Sequence, residues 1–224
     1  MKYQHKLMAF ITACALVALI PFYAAAKDDK AKDAQKTEVK KDHPWVLKKN
    51  KDGIQVFVRD VDGIDFKEFL GVTTIDAPMA VVDRVMEDVP NQVNWMCDII
   101  ESKVIKADPV NPVQYNVITA PLVANRDVVI QTRIVRTPQK ISRYFKGIEL
   151  ASVPPRKGIV RMPSMVGMWI FEAVGKNQTK VTYQNLGNPG GSLPSGLVNM
   201  TVVKMPFNSL TGLKEQCKNP KYNK

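Results

Sequence analysis

Towards its C-terminal end the chain carries an amphipathic stretch too one-sided to stand alone. From Leu193 onward the apolar residues Leu197, Met200, Val203, Phe207, Leu210, Leu213 and Cys217 recur at steps of three and four. That spacing makes one continuous apolar face over about six helical turns. A helix of this kind needs a broad concave partner to cover it. Asn188-Pro-Gly-Gly-Ser-Leu-Pro194 comes just before. Proline presets its own φ and the glycines allow positive φ, so the segment reads as a turn. Ser192 is placed to cap the helix, and Pro194 to sit in its first turn, where a missing N–H costs nothing. Pro206 falls inside the apolar face and should kink it.

The partner is legible upstream. Trp45-Val46-Leu47 reads as a short helical turn, and Asn50-Lys-Asp-Gly53 as a tight turn into an alternating strand over 54–59. Asp62-Gly63 closes a hairpin whose second arm covers 66–74. Asp76-Ala-Pro78 opens a helix over 79–88, with Asp76 or its neighbour as cap, and a second short helix or turn follows over 89–96. Strand signals then recur over 98–106, 113–119, 126–136, 141–150, 158–162, 167–174 and 179–186, broken by proline and glycine pairs. No internal repeat is visible. Runs of neighbouring strands imply an antiparallel sheet, and one long terminal helix to cover it makes the fold class α+β.

The amino-terminal end has the pattern of an address. Lys2 and Lys6 precede an apolar run over 7–23, and Ala24-Ala25-Ala26 offers small residues for cleavage. Residues 1–26 are therefore expected to be a bacterial signal peptide cut after Ala26, which puts the mature protein in the periplasm. Cys14 lies mid-run, which argues against a lipoprotein. Residues 27–44 read as a charged flexible linker, 45–219 as one folded domain and 220–224 as a C-terminal tail. The formal net charge is +11. No arginine run or aromatic–basic interleaving points to nucleic acid, so the excess is read as weak attraction to an anionic membrane surface, or as a basic surface kept for solubility.

Four local matches, in this order, give the chain a family resemblance. They are Phe66-Lys-Glu-Phe69 with Ala77-Pro78, then Trp95, then Asn125-Arg-Asp-Val-Val129, and then Thr179-Lys-Val-Thr-Tyr183 running on to Asn188-Pro-Gly-Gly-Ser-Leu-Pro194. Together they resemble the START (steroidogenic-acute-regulatory-related lipid transfer) domain, over about Trp45 to Cys217. Val128 stands where the family usually has Phe, and Asn188 where it has Asp. The resemblance implies a helix-grip fold, in which a curved antiparallel sheet wraps a long C-terminal helix around an apolar tunnel. It also implies a single lipid ligand: a phospholipid, a sterol or another isoprenoid. Physical chemistry supports the same use. Enclosing a sixteen-carbon tail recovers roughly 12 kcal/mol, at about 0.8 kcal/mol per methylene.

Strand parity names the expected lining. Val128, Ile130 and Thr132 share one face, with Arg126 near the mouth, opposite Asp127, Gln131 and Arg133. The same test turns Tyr115, Val117, Trp169, Phe171 and Tyr183 inward, and Leu197 and Met200 face them from the helix. All of these serve equally well as plain core. The tip residues Leu122 and Val123, with Gly190 and Gly191 in the facing turn, resemble the family's mobile gate. Arg126-Asp127 is read as bracing the loop over 120–125 rather than as a catalytic pair.

Enzymatic signals are absent. The sequence holds two histidines, His5 in the leader and His43 in the linker, which leaves none for acid–base work or metal binding in the domain. No catalysis, cofactor or metal is expected, and a monomer is. Two other readings stay open: an aromatase- or cyclase-like enzyme of the helix-grip type, and an envelope interaction module whose cavity is only core. In the arrangement that the resemblance implies, Cys97 and Cys217 come within reach of a disulfide in an oxidising compartment. The alternative is two buried free thiols.

Overall fold

A computed structural model describes residues 43–119, 123–191, 193 and 195–223, without the side chains of Leu197 and Met200. The leader, most of the linker, Leu122, Ser192 and Pro194 lie outside these residues. The described residues belong to one unit spanning 40–224.

The sheet is built by local turns. Asp52 (φ 53°) and Gly53 (φ 71°) form the tight turn between β1 (Val46–Lys51) and β2 (Ile54–Val61). Two successive positive φ values match the right-handed twist of the arms. Trp45-Val46-Leu47 therefore leads into an edge strand rather than forming a helical turn. Gly63 (φ 71°) closes the next hairpin onto β3 (Ile64–Ile75). Seven further strands follow: β4 (Ile99–Lys106), β5 (Val113–Ile118), β6 (Arg126–Arg136), β7 (Lys140–Ile148), β8 (Val160–Arg161), β9 (Ser164–Ala173) and β10 (Thr179–Asn188). They make one ten-stranded sheet in the order β1-β2-β3-β10-β9-β7-β6-β5-β4, with the short β8 joined to β6 in parallel. All other pairings are antiparallel, as the strand runs imply.

Among the described residues, three α-helices cover the sheet. Helix α1 (Met79–Glu87) buries Val81, Val82, Val85 and Met86. No side chain caps it. Asp76, expected as the cap, instead accepts a hydrogen bond from Gln178 Nε2 at 2.7 Å. A 3-10 turn follows over Val89–Asn94. The long C-terminal helix is broken into α2 (Ser195–Thr201) and α3 (Lys204–Gln216). The kink expected at Pro206 thus lies just ahead of it, at Val202 and Val203. A proline has no N–H to offer the carbonyl four residues earlier, and its ring crowds that carbonyl, so helix α3 starts afresh with Pro206 in its first turn.

Helix α3 sits close on the sheet because β3 makes room for it. A Cβ on Gly71 would stand 2.7 Å from Leu210 Cδ1 and 3.2 Å from Pro206 Cβ. The core between sheet and helices includes Val56, Phe69, Val128, Phe171, Val181, Leu210 and Leu213. A second apolar cluster lies on the other face of the sheet, where Val113, Tyr115, Val117 and Val129 are covered by Ile148, Leu150, Val153 and Ile159. Residues 220–222 are no loose tail. They form a 3-10 turn with Tyr222 buried at 3% exposure. Arg84 Nε donates to its carbonyl at 2.8 Å, and its hydroxyl donates to Asp88 Oδ2 at 2.7 Å. The architecture is the helix-grip arrangement that the resemblance implied: an antiparallel sheet with the C-terminal helix packed against it.

Candidate ligand cavity

Between the sheet and the helices lies a cavity of about 680 Å³. This is within the usual range for small-molecule sites, about 300–1,000 Å³. From β6 it is lined by Arg126, Val128, Ile130 and Thr132, the face that alternation marks as inward. Trp169 and Tyr183 line it from β9 and β10, and Val198, Val202 and Met205 from the helical side. Met162 and Met165 add adaptable side chains near one end. Val123 also lines it and is 40% exposed, an apolar side chain at the edge of the cavity.

An aromatic ladder forms one wall. The rings of Trp169 and Tyr183, opposite one another in the β9–β10 register, stack with centroids 3.7 Å apart. Phe69 meets Tyr183 edge-on at 4.9 Å, and Trp95 meets Trp169 edge-on at 6.3 Å. Burial pushes the Tyr183 hydroxyl pKa well above the ordinary tyrosine range. Trp95 Nε1 and Asn185 Oδ1 are buried with no hydrogen-bond partner among the described residues, and Asn185 lines the cavity.

Tyr115 and Val117 are not part of the lining. In the antiparallel register Asn116 pairs with Val128, whereas Tyr115 pairs with Val129 and Val117 with Asp127. Paired residues share a face, so with Val128 inward it is Asn116 that faces the cavity. Tyr115 and Val117 belong to the outer cluster, and the Tyr115 hydroxyl donates to Asp127 Oδ2 at 2.8 Å. Alternation misleads here because both faces of β5 are covered, and the more apolar face packs under the segment around Leu150. Phe171 is inward and fully buried, but it lies in packed core rather than on the cavity wall. Of the gate residues, Gly190 (φ 66°) and Gly191 (φ 70°) lie in the turn after β10, beside the lining residue Pro189. Leu122, and the side chains of Leu197 and Met200, fall outside the described residues.

Parity on β5 missed a polar wall. Ser102 Oγ donates to Asn116 Oδ1 at 2.9 Å, and Gln114 Nε2 donates to Gln92 Oε1 at 2.9 Å and to Asn116 Oδ1 at 3.1 Å. Gln92, Gln114 and Asn116 all line the cavity. The register opposite Val128 and Ile130 was the signal that would have found Asn116 and Gln114; Gln92, on the 3-10 turn, has no such signal.

Arg126 and Asp127 do not act as a pair. Arg126, 5% exposed, donates from its guanidinium to the carbonyl oxygens of Ala124, Pro189 (3.3 Å) and Gly190 (3.4 Å). Asp127, fully buried on the other face, takes Arg161 Nε at 2.7 Å. Each braces a different loop. The expected disulfide is not formed, since Cys97 and Cys217 are both free. The Cys97 N–H donates to Ser209 Oγ at 3.1 Å. Cys217 lies eight residues beyond Ser209, about 12 Å further along the helix axis, too far for a bridge without backbone movement.

Among the described residues no group of three or more His, Cys, Asp or Glu side chains is placed to hold a metal ion. His43, exposed, is 2.7 Å from Asp62 Oδ1 and is not among the residues lining the cavity.

Known proteins resemble the chain in sequence and fold. The START domain family model matches residues 23–221. An uncharacterized protein of Pseudomonas aeruginosa, PA1579, is 37% identical over 172 residues, covering 76% of this chain and 85% of that protein. The crystal structure of a STAR-related lipid transfer protein from Xanthomonas axonopodis superposes with a TM-score of 0.73 at 34% identity, covering 78% of this chain and 99% of that one. Human STARD10 shares the fold, with a TM-score of 0.70 at 22% identity, covering 80% of this chain and 75% of that one. The chain belongs to the START domain family.

Proposed function

We propose that the protein binds one lipid in this cavity and carries it between membranes, without catalysis. The observation that carries the reading is the cavity itself, about 680 Å³ between sheet and helices and lined by Phe69, Trp169, Tyr183, Val128 and Ile130. Moving a lipid tail through water requires that each methylene, at about 0.8 kcal/mol, stay covered. An apolar cavity inside a water-soluble fold does this. The Xanthomonas relative named as a STAR-related lipid transfer protein supports the same use. Entry beside Val123 and the turn at Pro189 fits the reading, because an exposed valine there can touch the greasy surface from which the ligand comes. The basic excess suits weak contact with anionic headgroups. The basic and apolar leader with its Ala24-Ala25-Ala26 site supports exchange in the periplasm.

Native mass spectrometry of protein purified from its own membrane fraction tests the binding, and dequenching of a labelled lipid between two vesicle populations tests the transfer. A bound lipid and catalysed exchange are expected. Protein that is empty and takes up no lipid would overturn the reading.

A further inference from the structure

Arg126 is a buried cation that no carboxylate of the described residues neutralises. It opens β6, is 5% exposed and lines the cavity. Among the described residues its bonds run to the backbone carbonyls of Ala124, Pro189 and Gly190, the last two at 3.3 and 3.4 Å. Carbonyl dipoles carry partial charge, and a buried full charge calls for more. The nearby acids are engaged elsewhere. Asp127 turns to the opposite face and is held by Arg161 and Tyr115. Asp98, which also lines the cavity, faces Lys204 Nζ at 3.5 Å. Arg143 and Arg161 show the usual solution, since each bonds directly to a carboxylate, Asp83 and Asp127. Arg126 departs from it on the cavity wall, where a ligand can supply the missing charge.

The surroundings leave room for that ligand. A guanidinium has five N–H donors in a planar fork, and carbonyls occupy three of them here. The remaining donors suit a pair of anionic oxygens. Along β6 the next inward residues are Val128, Ile130, Thr132 and Ile134, all in the lining. An anionic group on Arg126 therefore lays its apolar tail along that strand and against the aromatic ladder. Burial lowers the Arg126 pKa from its ordinary value, but a guanidinium starts so high that it stays charged at neutral pH.

We propose that Arg126 anchors the ligand's headgroup and that the ligand class is a lipid with an anionic head, a phosphodiester or a carboxylate, rather than a sterol or another neutral lipid. The proposal rests on the lipid-binding reading above and narrows it.

The test uses probes sharing one fluorescent acyl chain: phosphatidylglycerol, the free fatty acid and uncharged diacylglycerol. Each is titrated into the wild-type protein, Arg126→Gln and Arg126→Lys, with folding checked by thermal melting. The wild type should bind phosphatidylglycerol or the fatty acid about tenfold or more tightly than diacylglycerol, as charge-assisted hydrogen bonds imply. Whichever of the two acidic probes shows this preference identifies the source of the anion. In Arg126→Gln the ratio should fall to near one, and Arg126→Lys should keep part of it. Equal wild-type affinity for acidic and neutral probes overturns the anchor, and so does a preference that survives in a folded Arg126→Gln. If Arg126→Gln does not fold, the wild-type ratio and Arg126→Lys decide. A wild type that takes up none of the probes, diacylglycerol included, fails the lipid-binding reading itself. Uptake without preference fails the anchor alone.

Discussion

The backbone carbonyl oxygen of Trp95 stands 2.2 Å from where a Cβ on Gly212 would be, so helix α3 meets the end of the 3-10 turn backbone to backbone. Trp95 in turn packs edge-on against Trp169 in the cavity wall. A glycine inside a helix costs about 1 kcal/mol relative to alanine, and here that cost gives the helix its closest approach. Gly212→Ala would recover the propensity but force two backbones apart. The expected net effect is a loss of about 2 to 3 kcal/mol, the range of overpacked cores. Urea unfolding of the variant measures it, and a midpoint equal to or above that of the parent would show that the helix shifts freely.

Filling the cavity should separate binding from stability. Ile130 is 8% exposed and lines the cavity near the middle of β6. Ile130→Trp places the larger ring in existing space, so it should destabilise the fold by no more than about 1 kcal/mol, below the usual overpacking cost. Binding of a fluorescent lipid should fall at least about tenfold, since the tail loses its channel. Parental affinity in a folded variant would remove Ile130 from the site.

Both thiols should be free and slow to react. Burial raises the Cys97 pKa to about 11, helped by the neighbouring Asp98 carboxylate, and burial alone raises that of Cys217 to about 12. At pH 8 about one Cys97 in a thousand is then thiolate. Disulfide-exchange labelling of the native protein should lag far behind that of a small thiol, with a rate that climbs about tenfold per pH unit up to pH 10. The unreduced mass should equal the reduced mass. A deficit of two protons, or fast stoichiometric labelling at pH 8, would contradict the structure.

Much of this molecule was legible in its sequence, for identifiable reasons. The turn pairs Asp52-Gly53 and Asp62-Gly63 and the alternation of β6 are local signals, and they placed strands and the inward face of β6 together. The family motifs supplied the topology, which no local pattern encodes. Alternation failed on β5 because it assumes one buried face, and Tyr115 and Val117 lie under a segment some forty residues later in the chain. The backbone contact at Gly212 leaves no pattern in the sequence, since glycine in a helix reads only as a weak position. The disulfide failed for the same reason: pairing depends on where Cys97 meets α3, and it meets it at Ser209, two turns short of Cys217. The charge environment of Arg126 was hidden because alternation places its face but not its partners, two of which are backbone carbonyls of a turn far along the chain, at Pro189 and Gly190.

The last turn of the chain offers a pH test. The Tyr222 hydroxyl donates to Asp88 Oδ2 at 2.7 Å and accepts from Asn91 Nδ2 at 2.8 Å, while Lys221 Nζ reaches the same Asp88 oxygen at 2.5 Å. Partial burial works to raise the Asp88 pKa, but the hydrogen bonds from Lys221 and Tyr222 outweigh it and hold the carboxyl below its ordinary value. An acid depressed in the folded state contributes stability above its unfolded pKa of about 3.9, and that contribution is lost as the pH falls through the folded value. Tyr222→Phe removes one charge-assisted bond while keeping the ring, so it should cost about 1 kcal/mol at pH 7, given that Asp88 is partly exposed. The cost should shrink as the pH falls through the lowered folded pKa of Asp88. Urea unfolding of parent and variant at pH 7 and pH 3 reads the difference directly. A penalty of the same size at both values would mean that the hydroxyl's bond from Asn91, and not its bond to Asp88, holds the last turn in place.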